Sequence, residues 1–218
     1  MTGAAMATGV GAGVASQSPR IPLLDSESSL SAEQRDVLEA VVAGPRGRLV
    51  GPLRAALHNP VLADRWQRLG ETLRYRTSLP KRLSELAIIV VARHWNSDLE
   101  WTVHVGEAAE AGLDAVVIDA VRRRVAPTSA SAEEAEIYEF ARQMLAQGSV
   151  DDAAYAAVHA RWQAVGVVEL AALIGYYTMV AMTLNVHHIP VPVDIASDLP
   201  DTEAGIVPLP AIGLDQRR

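Results

Sequence analysis

The segment Arg93 to His104, RHWNSDLEWTVH, gathers two histidines, two acids, a serine and two tryptophans in a chain otherwise rich in alanine and valine. Glu100 and His104 stand four residues apart, and Ser97 lies one turn earlier. That spacing aligns all three on one face of a helix. Such a polar stripe suits the movement of protons. Glu85 adds a second acid. It lies within LSELAIIVVA, a run too apolar to face water. A carboxylate there is expected to be buried, and burial opposes its ionisation unless a partner compensates. A histidine on an adjacent antiparallel helix would be that partner, as a proton-transfer pair or as an ordinary buried polar contact.

The same stripe also has a purely structural reading. Ser97-Asp98-Leu99-Glu100 fits a capping box, in which serine and glutamate satisfy orphan amides at a helix start. By that account Trp95 and Trp101 anchor the core and His94 is a partly exposed surface residue. Glu100 and His104 also have the separation of two metal ligands on a helix, with Glu85 as a third and His187-His188 as a further pair. Adjacent residues point apart, however, and histidines at a helix end are favoured by its dipole. No metal or other cofactor is expected. The absence of cysteine removes disulfides, thiolate metal sites and cysteine nucleophiles.

The elements that must position these groups are helical almost throughout. Ser31-Ala32-Glu33-Gln34 reads as a capping box opening a helix that ends near Gly44. Asn59-Pro60 caps the next, and Leu79-Pro80 opens the helix that holds Glu85. A short break precedes DLEWTVHVGEAAEAG, which stops at Gly112. LDAVVIDAVRRR follows, then a helix opened by Ser131-Ala132-Glu133-Glu134. Another runs from Ser149-Val150-Asp151-Asp152 to Gly166, and VVELAALIGYYTMVAMTLNVHH is the last. No alternating strand pattern and no repeat is present. The expectation is all-α, a single domain of about eight helices over residues 31–192.

Residues 1–30 are small, flexible and broken by glycine, and are expected to form a disordered leader with no secretory signal. Residues 193–218 hold several prolines without helical period and are expected to be extended, draping over a neighbouring subunit. The net charge of −7 argues against nucleic acid, which needs a basic face. The uncharged stretch Leu170 to Val186 is 17 residues long, short of the ~20 a spanning helix needs. A buried core helix is expected there, with no membrane partner and a cytoplasmic location. That helix has too few polar positions to be solvated all round, so part of it is expected to meet another copy of the chain.

From Gly51 through Leu113 the chain resembles the carboxymuconolactone decarboxylase family, which includes the alkylhydroperoxidase D-like proteins. The matching features are the LSELAI helix with Glu85, the ARHW exit, the cluster at Ser97, and His104 four residues beyond Glu100. The likeness extends through VVELAALIGYYTMVAMTLNV, over roughly residues 48–192. It implies an alkylhydroperoxidase D-like helical bundle assembled as a dimer, trimer or hexamer. In the peroxidase branch a Cys-x-x-Cys pair opens the helix. Here those positions are Ser97 and Glu100, and serine cannot cycle through sulfenic acid and disulfide. A cysteine-based peroxidase is excluded.

What remains resembles the decarboxylase-like set. The family's name reaction removes carbon dioxide from a carboxylated unsaturated lactone, which requires an enolate to be stabilised and then protonated, with no redox centre. The resemblance implies His104 as general acid, Glu85 as the group that orients or recharges it, and Glu100 as a positioning or relay group. Ser97, Trp101, His58, Tyr177 and Asn185 become substrate-binding candidates, with Tyr176 beside them. The expected function is a cofactor-free acid–base enzyme acting on a small carboxylated lactone or related unsaturated acid, most simply a decarboxylase. Alternatives are an isomerase, hydrolase or cyclase of a small lactone or polyketide-like metabolite, or a non-catalytic oligomeric binding protein.

Overall fold

The computed structural model describes residues 18–24, 29–49, 51–192, 195–200 and 206–214. Among them are eight helices and no strand. They are α1 (Ala32–Ala43), α2 (Gly51–Ala56), α3 (Pro60–Tyr75), α4 (Lys81–His94), α5 (Asp98–Glu110), α6 (Ala115–Arg122), α7 (Ala132–Gln147) and α8 (Asp152–His187). The expected caps are present at most of these starts. Ser31 with Gln34, and Ser131 with Glu134, form reciprocal capping boxes. Asn59 accepts from the Leu62 amide and Asp151 from that of Ala154.

The count of eight matches expectation for a different reason. Helix α2 carries no cap signal and was not anticipated. The last two expected helices follow one another end to end in α8, with the break at Gln163 rather than at Gly166. Gln163 has a positive φ of 55 with an extended ψ of −169, outside the helical range. The bend folds Trp162 onto Gly166, where a Cβ would lie 2.1 Å from the Trp162 Cβ. Glycine is required there by close approach.

Helix α4 is the centre of the molecule. Every residue from Leu83 to His94 is buried. The helix is enclosed by α5, α6, α7 and α8, which is why its sequence is apolar around most of its circumference. Its exit turn is made by Asn96 in the left-handed region (φ 48), which asparagine tolerates better than most residues. Arg93 and Arg124 both donate to the Asn96 side-chain oxygen. Arg93 also donates from Nε to the Arg122 carbonyl at 2.7 Å, tying the turn to the end of α6. The tight turn lays α5 against α4, so that a residue on α4 faces one on α5.

The leader expected over residues 1–30 lies outside the described residues at 1–17 and 25–28. Residues 18–24 run along the domain, where the Arg20 amide donates to the His187 carbonyl at 2.9 Å. The described parts of the tail have no helix or strand. They drape over their own chain. The Trp101 indole donates to Asp198 at 2.7 Å, the Tyr138 hydroxyl donates to the Pro210 carbonyl at 2.8 Å, and Leu199, Leu209 and Ile212 are buried.

By length and composition α8 could cross a membrane, and 50% of its most apolar window is buried inside the fold. Its exposed face is also apolar. Val165, Val168, Ala172, Gly175, Met182 and Val186 are exposed and Met179 half-buried, in alternating steps of three and four residues.

Candidate active site

Because α4 and α5 run side by side, Glu85 meets His104. The Glu85 Oε2 lies 2.7 Å from His104 Nδ1, and both residues are buried. The partner expected for the buried carboxylate is therefore in place. With Nδ1 on Glu85, Nε2 is the imidazole nitrogen left without a partner among the described residues. The ring meets Tyr177 edge-on at 5.0 Å between centroids, and Tyr177 meets Tyr176 in the same manner at 5.3 Å. Aromatic edges of this kind fix the imidazole plane.

His104 opens on a cavity of about 260 Å³ between α3, α5, α8 and the loop joining α1 to α2. Glu100, Tyr176, Tyr177, Arg46, Arg48, Arg74 and Glu107 supply its polar wall, and Leu99, Val103, Val180 and Leu184 much of its apolar wall. Glu85 stands behind His104 and does not line the space. A small, partly apolar cavity with a few convergent polar groups is the usual form of a small-molecule site.

Glu100 has an unusual environment. Both carboxyl oxygens are buried without a hydrogen-bond partner among the described residues. Burial raises its pKa well above the ordinary 4.5, so the neutral acid is favoured. It is not a helix cap, because Ser97 at the start of α5 makes no side-chain capping bond. The capping-box reading of Ser97-Asp98-Leu99-Glu100 is corrected accordingly. Burial also raises the Tyr177 hydroxyl well above its usual range, with Arg74 opposing and the two glutamates adding to the rise. It stays protonated.

Several expected site residues lie elsewhere. Ser97 is fully buried and does not line the cavity, and its hydroxyl has no hydrogen-bond partner among the described residues. Trp101 is turned to the tail, its indole engaged by Asp198 and its ring stacked by Arg122 at 5.8 Å. The exposed His58 donates from Nε2 to the Pro22 carbonyl at 2.8 Å, away from the cavity. Asn185 donates to the Trp95 carbonyl at 2.7 Å, joining α8 to the α4–α5 turn. His94 is buried rather than exposed, and desolvation followed by the nearby Arg124 lowers its pKa. Among the described residues no three His, Asp or Glu side chains gather as a metal-ion site.

The cationic wall was not anticipated. Arg74, mostly buried, pairs through Nη2 with Glu107 at 2.7 Å, and Lys81 meets the other oxygen of Glu107 at 2.6 Å. Arg46 Nη2 donates to the Tyr176 hydroxyl at 3.3 Å. Arg46 and Tyr176 are 130 residues apart, and no local pattern signals such a meeting.

The architecture is thus an all-α, alkylhydroperoxidase-like bundle with a buried carboxylate–imidazole pair beside a small cavity. Residues 60–143 match the model of the carboxymuconolactone decarboxylase family. A solved structure of similar fold is that of the debrominase Bmp8, in a Cys-to-Ala variant complexed with 2,3,4-tribromopyrrole. It aligns at a TM-score of 0.60 and 15% identity, over 75% of this chain and 90% of that one. At that identity the likeness is one of fold. No curated protein matches the chain.

Proposed function

We propose that the protein is a cofactor-free acid–base enzyme acting on a small unsaturated acid or lactone, and that it works as a carbon–carbon lyase releasing carbon dioxide. His104 carries this reading. Its Nδ1 is held by Glu85, and it borders a cavity in which burial raises the pKa of Glu100 and favours its neutral form. The match of residues 60–143 to the family's model and the small-ring ligand of the debrominase neighbour support a site for a molecule of that size.

In the proposed step the bond from the substrate carbon to its carboxylate breaks. The electron pair moves through the alkene to the carbonyl oxygen as a dienolate, and carbon dioxide leaves. His104, protonated at Nε2, then delivers a proton to the carbon and is recharged from solvent, with Glu85 stabilising the imidazolium. One proton is consumed for each carbon dioxide released. Glu100 and the Tyr177 hydroxyl are neutral donors within the same wall, available to the developing oxyanion. A reaction of this kind needs no thiol, and the chain has none.

The test is turnover of carboxymuconolactone and related unsaturated lactone acids, followed by ultraviolet absorbance and carbon dioxide release. The protein is compared with its His104→Gln variant, which keeps a hydrogen-bonding group toward Glu85 but no titrating ring. Turnover is expected to fall at least about a hundredfold in the variant, the scale of general acid catalysis. Exchange of solvent deuterium into substrate without carbon dioxide release would replace the lyase with an isomerase. Absence of either reaction in the folded wild-type protein would leave a binding protein.

A further inference from the structure

The cavity beside His104 is also where positive charge is left uncompensated. The chain carries −7 overall, yet Arg46, Arg48 and Arg74 all line this one space. Arg74 shares the single carboxylate of Glu107 with Lys81. Arg46 and Arg48, on the loop between α1 and α2, have no carboxylate partner among the described residues. The Arg46 Nε is buried and has no hydrogen-bond partner among the described residues. Glu100, the remaining acid of the wall, is held neutral by burial and so neither pairs with these cations nor repels an anion.

Arg46 is also firmly seated. Its Nη2 and the Tyr176 hydroxyl meet over Gly70 on α3. A Cβ at Gly70 would lie 2.3 Å from Nη2 and 2.0 Å from the hydroxyl oxygen. The missing side chain is the notch in which guanidinium and phenol come together. From there Tyr176, Tyr177 and His104 follow one another in edge-on contact along the cavity wall.

We propose that Arg46, seated in the Gly70 notch against Tyr176, binds a carboxylate of this protein's substrate, with Arg48 beside it on the same loop. This rests on the cavity being the substrate site, as in the proposed function. A guanidinium is matched in shape and charge to a carboxylate, and in a half-buried wall the pairing is poorly screened. A carboxylate so held is an anchor and not the leaving group, because a guanidinium stabilises the anion in the ground state as well. Arg46 is therefore a specificity-determining residue, distinct from the proton-handling pair.

The probes are furan-2-carboxylate and its neutral analogue furan-2-carboxamide, titrated calorimetrically into the full chain. The wild type is expected to bind the carboxylate at least ten-fold tighter than the amide. Arg46→Gln is expected to remove that preference while leaving amide affinity unchanged. Equal affinity for the two probes, failure of both to bind, or a preference that survives Arg46→Gln would overturn the proposal. Tyr176→Phe removes the seating hydroxyl but not the cation. It should weaken carboxylate binding while sparing the amide, and unchanged carboxylate affinity would sink the seating role. His104→Gln is expected to keep the preference. A chain that selects the carboxylate through Arg46 but turns over no substrate keeps this inference and rejects the acid–base function. Turnover with unchanged KM in Arg46→Gln does the reverse.

Discussion

Glu100 shows how one environment changes what a residue can do. In water it would be an anion; here, with both oxygens buried and unpartnered, it is held as the acid. An acid whose pKa rises on folding holds its proton in the native state at pH values where the unfolded chain has lost it. Stability attributable to this group is therefore highest below about pH 4.5 and falls as pH rises from there toward the raised native value. Glu100→Gln removes the dependence. The variant is expected to melt above the wild type at pH 7.5, by about 2–4 °C for each kcal/mol gained, and to melt with it near pH 4. Equal melting temperatures at both pH values would contradict a neutral, strained carboxyl. This group also marks a limit of reading residues in sequence. Ser97-Asp98-Leu99-Glu100 has the same pattern as the true capping boxes at Ser31 and Ser131. Only the cavity beside α5, a tertiary feature, draws Glu100 away. The Glu85–His104 pair was legible because an acid in an apolar run demands a partner. Arg46 was not, because it lies on a loop without period and acquires its role from Gly70 and Tyr176, each on a different helix.

At the scale of the element, α8 combines three demands in one helix. Its buried face closes the core, Tyr176 and Tyr177 line the cavity, and its bend at Gln163 is fitted by the bare backbone of Gly166. The glycine was read from sequence as the place where one helix ends and another begins. The structure keeps Gly166 helical and puts the break three residues earlier, because what Gly166 supplies is space for Trp162 rather than a left-handed torsion. Gly166→Ala is thus an overpacking change in a helix that alanine would otherwise favour. It is expected to cost about 1–3 kcal/mol in urea unfolding, against the roughly 1 kcal/mol gain usual for glycine to alanine within a helix. A stabilised variant would mean that Trp162 can move aside freely.

Across the whole molecule, the uncovered stripe from Val165 to Val186 is the feature a solitary chain does not account for. Its seven positions carry no charge, advance by threes and fours as helix–helix seams do, and centre on Ala172 and Gly175, where a Cβ at Gly175 would meet nothing. Self-association through α8 is the expected outcome. Sedimentation should find more than one copy at micromolar concentration, and Val168→Lys with Met182→Lys should shift it to a folded monomer. A monomeric wild type would contradict this. The tail covers α5 and α7 of its own chain, where it gives Trp101 and Tyr138 each a polar partner. The helix that bears the stripe also bears the tyrosine wall of the cavity, on its opposite side and within a helix diameter of about 10 Å. Where two copies meet on that helix, thermodynamic reciprocity makes any coupling between assembly and ligand mutual: if the partner tightens the ligand, the ligand tightens the partner by the same factor. Dilution that loosens the ligand, and ligand that holds the assembly together where the empty chain falls apart, would then be two readings of one factor.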